Sequence, residues 1–252
     1  MRVDVGDKVG IGGFIITGSS PKHVIVRGIG PSLSHYGITD ALADPILELH
    51  GPSGFVTVIT DNWKDTQQAA IQATGLAPTN DLQSAIDANL APGAYTAVVR
   101  GKNNGQGVAL VEVYDLSPAS GKLGNISTRA FVSTGDNILI AGMVLSNGST
   151  LDRVVVRGIG PSLAPTFFPV SAVLANPTLE LRDENGSLII ANDDWQDNAA
   201  QAAQITAAGL APSNSLEAAI AASLPPGYYT VLLGGLNQVT GIGVVEIYDR
   251  GP

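Results

Sequence analysis

The 252-residue chain contains no cysteine. Disulfides, zinc-thiolate sites and cysteine nucleophiles are therefore excluded together. A cysteine-free chain suits either redox compartment. Histidine is nearly as scarce, with only His23, His35 and His50, so imidazole chemistry has few carriers. Aromatic residues are 5% and charged residues 14% of the chain. No apolar run approaches the roughly 18 residues of a membrane-spanning helix, so no transmembrane segment is expected. The 13 basic residues are outnumbered by 22 acidic ones, for a net charge of −9. Nucleic-acid binding is not expected, since it needs a basic face to displace counterions from phosphates. Residues 1–6 show no charged-then-apolar leader pattern.

What is present is enough to fold. Apolar residues make up 44% of the chain, with 30 glycines and 15 prolines as punctuation. The dominant feature is a repeat. Val26-Arg27-Gly28-Ile29-Gly30-Pro31-Ser32-Leu33 recurs unchanged from Val156 to Leu163. Gly6-Asp7 returns as Gly135-Asp136, and Asp61-Asn62-Trp63 as Asp193-Asp194-Trp195. Gly75-Leu76-Ala77-Pro78 returns at Gly209, and Val111-Glu112-Val113-Tyr114-Asp115 as Val245-Glu246-Ile247-Tyr248-Asp249. The charges divide almost evenly between the copies. The spacing predicts a first unit over 1–117, a breaker-rich linker over 118–123 and a second unit over 124–252. Asn125-Ile126-Ser127-Thr128-Arg129 has no counterpart ahead of Gly6. If it is a strand, the first unit lacks it, and either a preceding repeat was removed or another chain fills its place.

Within a unit, short alternating runs point to antiparallel strands over 9–17, 23–29, 46–50, 55–60, 95–100 and 108–114. The alternation of Ile86, Ala88 and Leu90 points to a further strand over 84–90. One short helix is expected over 67–74, with Asn62 and Asp65 as its capping pair and Gly75 just past its end. Unit two repeats the helix signals with Asp194, Asp197 and Gly209. The fold class is therefore mainly β, as two tandem antiparallel β-sandwich, jelly-roll-like units, each with one short helix.

The candidate sites are few. Arg27-Gly28-Ile29-Gly30-Pro31-Ser32 lacks the lysine of a phosphate loop and the third glycine of a dinucleotide fingerprint, so it reads as a strand end with a rigid turn. Asp61, Asn62 and Asp65, with Asp193, Asp194 and Asp197, cluster oxygen ligands of the kind calcium takes, but helix capping accounts for the same residues. Trp63 and Trp195 are either a sugar-stacking platform or buried anchors. Arg27, Arg157, Glu48, Glu112, Glu180 and Glu246 interrupt apolar strands. They predict one internal ion pair per unit, Arg27 with Glu48 or Glu112 and Arg157 with Glu180 or Glu246. No nucleophile elbow or metal-protease spacing is present, and no catalytic residue is assigned.

The segments Asn125–Arg129, Thr134–Asp136, Val155–Leu163, Asp193–Trp195, Leu224–Thr230 and Val245–Asp249 resemble, as a set, a repeat of large secreted or surface proteins of environmental bacteria. Pro226-Gly227-Tyr228-Tyr229-Thr230 with its closing strand is also similar to bacterial pre-peptidase C-terminal domains, which are β-sandwiches. The resemblance implies an extracellular or cell-surface, non-enzymatic chain without a cofactor, partnered by copies of itself or by neighbouring repeats. Such a chain would be a fibre subunit, stalk or adhesin segment, polymerising through strand exchange or edge pairing at the first unit. The alternative is a carbohydrate- or calcium-binding module.

Overall fold

The computed structural model describes residues 1–117, 122–145 and 150–251. Residues 118–121 of the expected linker lie outside the described residues. The chain is mainly β, in antiparallel sheets, and divides into two compact units, Met1–Ile126 and Ser127–Pro252. The boundary differs from the expected one. Lys122 and Leu123 already belong to a strand, and the division falls inside that strand.

The first unit holds β1 (Arg2–Val3), β2 (Gly10–Thr17), β3 (Lys22–Ile29), β4 (Pro45–His50), β5 (Val58–Thr60), helix α1 (Gln68–Ala73), β6 (Ser84–Leu90), β7 (Gly93–Gly101), β8 (Gly107–Val108) and β9 (Leu110–Asp115). Strand β10 (Lys122–Val132) follows. The second unit continues with β11 (Leu139–Leu145), β12 (Asp152–Ile159), β13 (Pro177–Arg182), β14 (Leu188–Asn192), α2 (Ala199–Ala207), β15 (Ala218–Leu224), β16 (Gly227–Gly235) and β17 (Gly241–Asp249).

Strand order identifies the architecture. With β10 as strand one and β17 as strand eight, the second unit has one sheet in the order β10-β17-β12-β15 and another in the order β11-β16-β13-β14. Strands one, eight, three and six thus face strands two, seven, four and five, as in a jelly roll. The first unit keeps the second of these sheets as β2-β7-β4-β5 and the first as β9-β3-β6. Its strand-one position holds only β1, with Arg2 opposite Val108 and Val3 opposite Gly107.

The side-chain period explains the packing. In the first unit Phe14, Ile16, Leu47, Leu49, Tyr95, Ala97 and Val99 from one sheet meet Val24, Val26, Ile86 and Leu90 from the other. Strand β3 is the exception to simple alternation, because Val24, Ile25 and Val26 are all fully buried. Ile25 points outward, where Trp63, Ile71 of α1 and Ala85 cover it. The second unit repeats this with Val155 under Ile205 of α2, Ala219 and Trp195. A strand covered on both faces reads as a continuous apolar run, as Val154-Val155-Val156 does.

Two local expectations are corrected. Helix α1 starts within one residue of its expected position, but the caps of both helices differ from those expected. Neither Asn62 nor Asp194 caps; α2 is capped by Asn198, whose side chain accepts from the N–H groups of Ala200 and Gln201, and α1 has no side-chain cap. Strand β5 is shorter than expected, because Phe55 turns inward and meets the Tyr95 ring edge-on at 5.5 Å.

The turn after β3 is fixed by glycine. A Cβ at Gly30 would stand 2.1 Å from the Leu42 carbonyl oxygen, and one at Gly160 would stand 2.1 Å from that of Leu174. A backbone atom cannot give way as a flexible side chain can. Gly30→Ala and Gly160→Ala should therefore each lower stability by about 1–3 kcal/mol, measured by urea unfolding. Gly142→Ala, whose Cβ would meet only the Tyr229 carbonyl oxygen at 3.8 Å, serves as the tolerant control.

Candidate functional site

The charged residues inside the strands form the same cluster in both units. Arg27 lies on the outer face of β3, directly opposite Glu112 in register. Its Nε donates to Glu112 Oε2 at 2.8 Å and its Nη1 to the Leu76 carbonyl at 2.7 Å. Its Nη2 reaches Glu112 and the Tyr114 hydroxyl. Arg157 repeats this: Nε donates to Glu246 at 2.7 Å, Nη1 to the Leu210 carbonyl at 3.2 Å and Nη2 to the Tyr248 hydroxyl at 3.2 Å. Each guanidinium also lies over its tyrosine ring, 4.9 Å from Tyr114 and 5.3 Å from Tyr248. Burial, then the charge of the adjacent glutamate, raises the pKa of Tyr114 and of Tyr248 above the ordinary phenol value. The cluster ties strand three to strand eight and to the segment after the helix. Glu48 and Glu180 take other partners. Glu48 accepts from Arg100 at 2.6 Å, and Glu180 from Arg182 at 2.9 Å.

The Asp-Trp loops bring a cation of their own in the first unit. The Lys102 ammonium is 2.5 Å from Asp61 Oδ2 and 3.6 Å from Asp44 Oδ2. Burial and then the Asp61 charge push the Asp44 carboxyl above its ordinary range, although Lys102 pulls the other way. Asn62 donates to Asp65 at 3.3 Å. In the second unit Asp194 is raised by burial first and by Asp193 and Asp197 after it. Among the described residues no three His, Cys, Asp or Glu side chains form a metal-holding group. Of the two readings of the tryptophans, Trp63 takes the buried anchor: it is 4% exposed, while Trp195 is half-buried, each packed between helix and sheet. The buried Trp63 ring offers no open face for a sugar to stack on.

Ser32 and Ser162 belong to the turn after strand three. Ser32 accepts from the Gln83 amide, whereas Ser162 meets Glu217. The Glu217 carboxylate is fully buried and also accepts from the N–H groups of Gly160 at 3.1 Å and Ser162 at 2.9 Å. It holds the turn closed. His23 Nε2 is 2.6 Å from Asp87. His50 is 3.3 Å from Glu48 and 3.2 Å from the Thr57 hydroxyl.

Three polar groups carry local order that the motif reading did not single out. Gln67 both donates to the Asp87 carbonyl and accepts from its N–H, at 2.8 and 3.1 Å, which fixes α1 to β6. Gln201 accepts from Ala221 in the same way at 3.2 Å. Lys22 is fully buried and donates to Asp115 at 2.6 Å. The recurrence of Gln67 as Gln201 and of Gln83 as Glu217 was the available signal. A cavity of about 450 Å³ in the second unit is lined by Arg153, Arg250, Gln204, Ser223 and small apolar residues of β12, β15 and α2.

No family model matches the chain, and no curated protein matches it. Among solved structures, one of PNGF-II is 10% identical, with a TM-score of 0.24, over 94% of this chain and 58% of that one. The chain thus spans 58% of the length of that structure. One of the VP2 subviral particle of infectious bursal disease virus is 12% identical, with a TM-score of 0.16, over 98% of this chain and 69% of that one.

Removing the guanidinium leaves a half-buried carboxylate unpaired. Arg27→Met and Arg157→Met should each cost about 1–3 kcal/mol, read by chemical denaturation. The acid limb of stability tests Glu48. The hydrogen bond from Arg100, with the charges of Arg100 and His50, holds its carboxyl below the ordinary glutamate range despite burial. Such a group stabilises the fold above its unfolded value, and that contribution is lost as pH falls through the folded value. Asp44, raised, acts in the opposite sense. Glu48→Gln should therefore flatten the loss of melting temperature below about pH 5, while leaving the neutral-pH profile flat.

Proposed function

We propose that the chain is a non-catalytic structural repeat protein of the cell exterior, acting as a fibre subunit, stalk or adhesin segment. The observation that carries this reading is the use made of the strand-borne charges. In both units the arginine, glutamate and tyrosine that a binding site could have employed are turned on one another and on a backbone carbonyl. Of the first-unit residues that could ligate calcium, Asp61 pairs with Lys102, and Asp65 accepts from the Asn62 amide. The exterior location rests on the likeness of the Asn125–Arg129 and Val155–Leu163 segments to tandem repeats of secreted and surface proteins. The mechanism is mechanical: two sandwich cores resist extension, and strand pairing passes load along the chain.

The rival, a carbohydrate- or calcium-binding module, has no exposed ring at Trp63 in its favour. Electron microscopy of the purified chain over a wide concentration range separates the two. End-to-end chains or filaments are expected, with no change of melting temperature on adding calcium or a glycan panel. Monomeric particles at every concentration, with a calcium- or glycan-dependent rise in melting temperature, would establish the rival.

A further inference from the structure

We propose that the outer edge of β9 is an acceptor groove for one extended strand, the linker strand of another repeat, of the chemistry shown by Lys122–Arg129. The inference rests on the structural-repeat reading and names its partner.

The first unit's ladder on this edge stops short. The Met1 ammonium donates to the Ala109 carbonyl at 3.0 Å, and Ala109 N–H donates to the Met1 carbonyl at 2.9 Å. Beyond Ala109, β9 has one neighbouring strand, β3. Leu116 N–H donates to the His23 carbonyl, which fixes the phase of that pairing. Antiparallel alternation then turns Leu110, Glu112 and Tyr114 toward β3 and Val111 and Val113 toward the open side. Among the described residues the backbone groups of Val111 and Val113 meet no partner.

The second unit shows what belongs there. Its strand eight, β17, is flanked by β10 as well as by β12. Under that cover Val245 is 1% and Ile247 5% exposed, whereas their counterparts Val111 and Val113 are half-buried and Leu110 is 39% exposed. The edge also lacks the usual protection. Leu110–Asp115 contains no lysine, proline or bulge, and these are the devices that blunt an edge strand. Its two acids are already engaged, Glu112 by Arg27 and Asp115 by Lys22, so they do not repel an incoming strand.

The register follows from β1. Continuing the pairing of Arg2 with Val108 along the repeat places the incoming counterpart of Arg129 opposite Leu110. Thr128 then falls opposite Val111, Ile126 opposite Val113 and Asn125 opposite Tyr114. The first half of β10 shows the complementary use of a linker strand. Lys122 offers its carbonyl to the Thr17 hydroxyl at 3.4 Å at the end of β2, and Leu123 packs on the first core.

The test uses the full chain and the acetylated octapeptide Lys-Leu-Gly-Asn-Ile-Ser-Thr-Arg. Free short strands bind weakly because they bear the full ordering cost, so the same eight residues are also joined ahead of Met1 to raise their effective concentration. Saturable NMR shifts at Val111 and Val113, with Val245 unmoved, are expected from the peptide. The joined form should melt several degrees higher, and Ile126→Pro in either added strand should abolish its effect. Absence of both effects overturns the proposal. So does concentration-dependent dimerisation through Val111 and Val113 that the peptide fails to compete, since that would make the occupant a second β9. Failure here with filaments in the microscope would leave the structural role intact. Binding without any assembly would remove that role and keep the acceptor edge.

Discussion

The backbone of an edge strand has half of its N–H and C=O groups without a strand partner, and the organisation of this chain follows from how that requirement is met. A jelly roll places strand eight between strands one and three. In the second unit both neighbours of β17 are present, and the inner face closes over Val245 and Ile247. In the first unit β1 reaches only Gly107 and Val108, so the same inner face is left ajar along Val111 and Val113. Strand one of the first unit is the two-residue β1, whereas β10 holds that position beside β17 in the second unit.

A second constraint acts on strand three. It is central in its sheet and covered by a helix on its outer face, so it tolerates one charge only if that charge is fully engaged. Arg27 and Arg157 satisfy this by fixing a glutamate, a tyrosine and a carbonyl apiece. The pairs tie strand three to strand eight, the same strand whose far edge is open in the first unit. Glutamine hydrogen bonds at Gln67 and Gln201 then hold the helix on the sheet without any charge. Stability without disulfides comes from these internal ties and from core burial.

Much of this was legible in the residues. Period-two runs placed β2, β3, β4, β6 and β7 within a residue or two, and the isolated arginines and glutamates announced the ion pairs. The partner of Arg27 was not legible, because Glu48 and Glu112 fit the pattern equally until register put Glu112 opposite. The helix caps were not legible, because Asn62 and Asp194 resemble caps by spacing alone, whereas α1 starts at Gln68 without a side-chain cap and α2 at Ala199 after Asn198. Gln83 and Glu217 were passed over because a buried polar residue in a turn has no periodic signature; its role appears only when the Gly160 and Ser162 N–H groups converge on it.

Strand eight is paired on both sides along its length in the second unit and, beyond Ala109, on one side in the first. Residue-resolved amide hydrogen exchange of the chain alone measures this directly, since each amide reports its own opening. Val245 and Ile247 should exchange more slowly than Val111 and Val113 by more than about tenfold at a concentration where the chain is monomeric. Equal protection of the two pairs under those conditions would contradict the account.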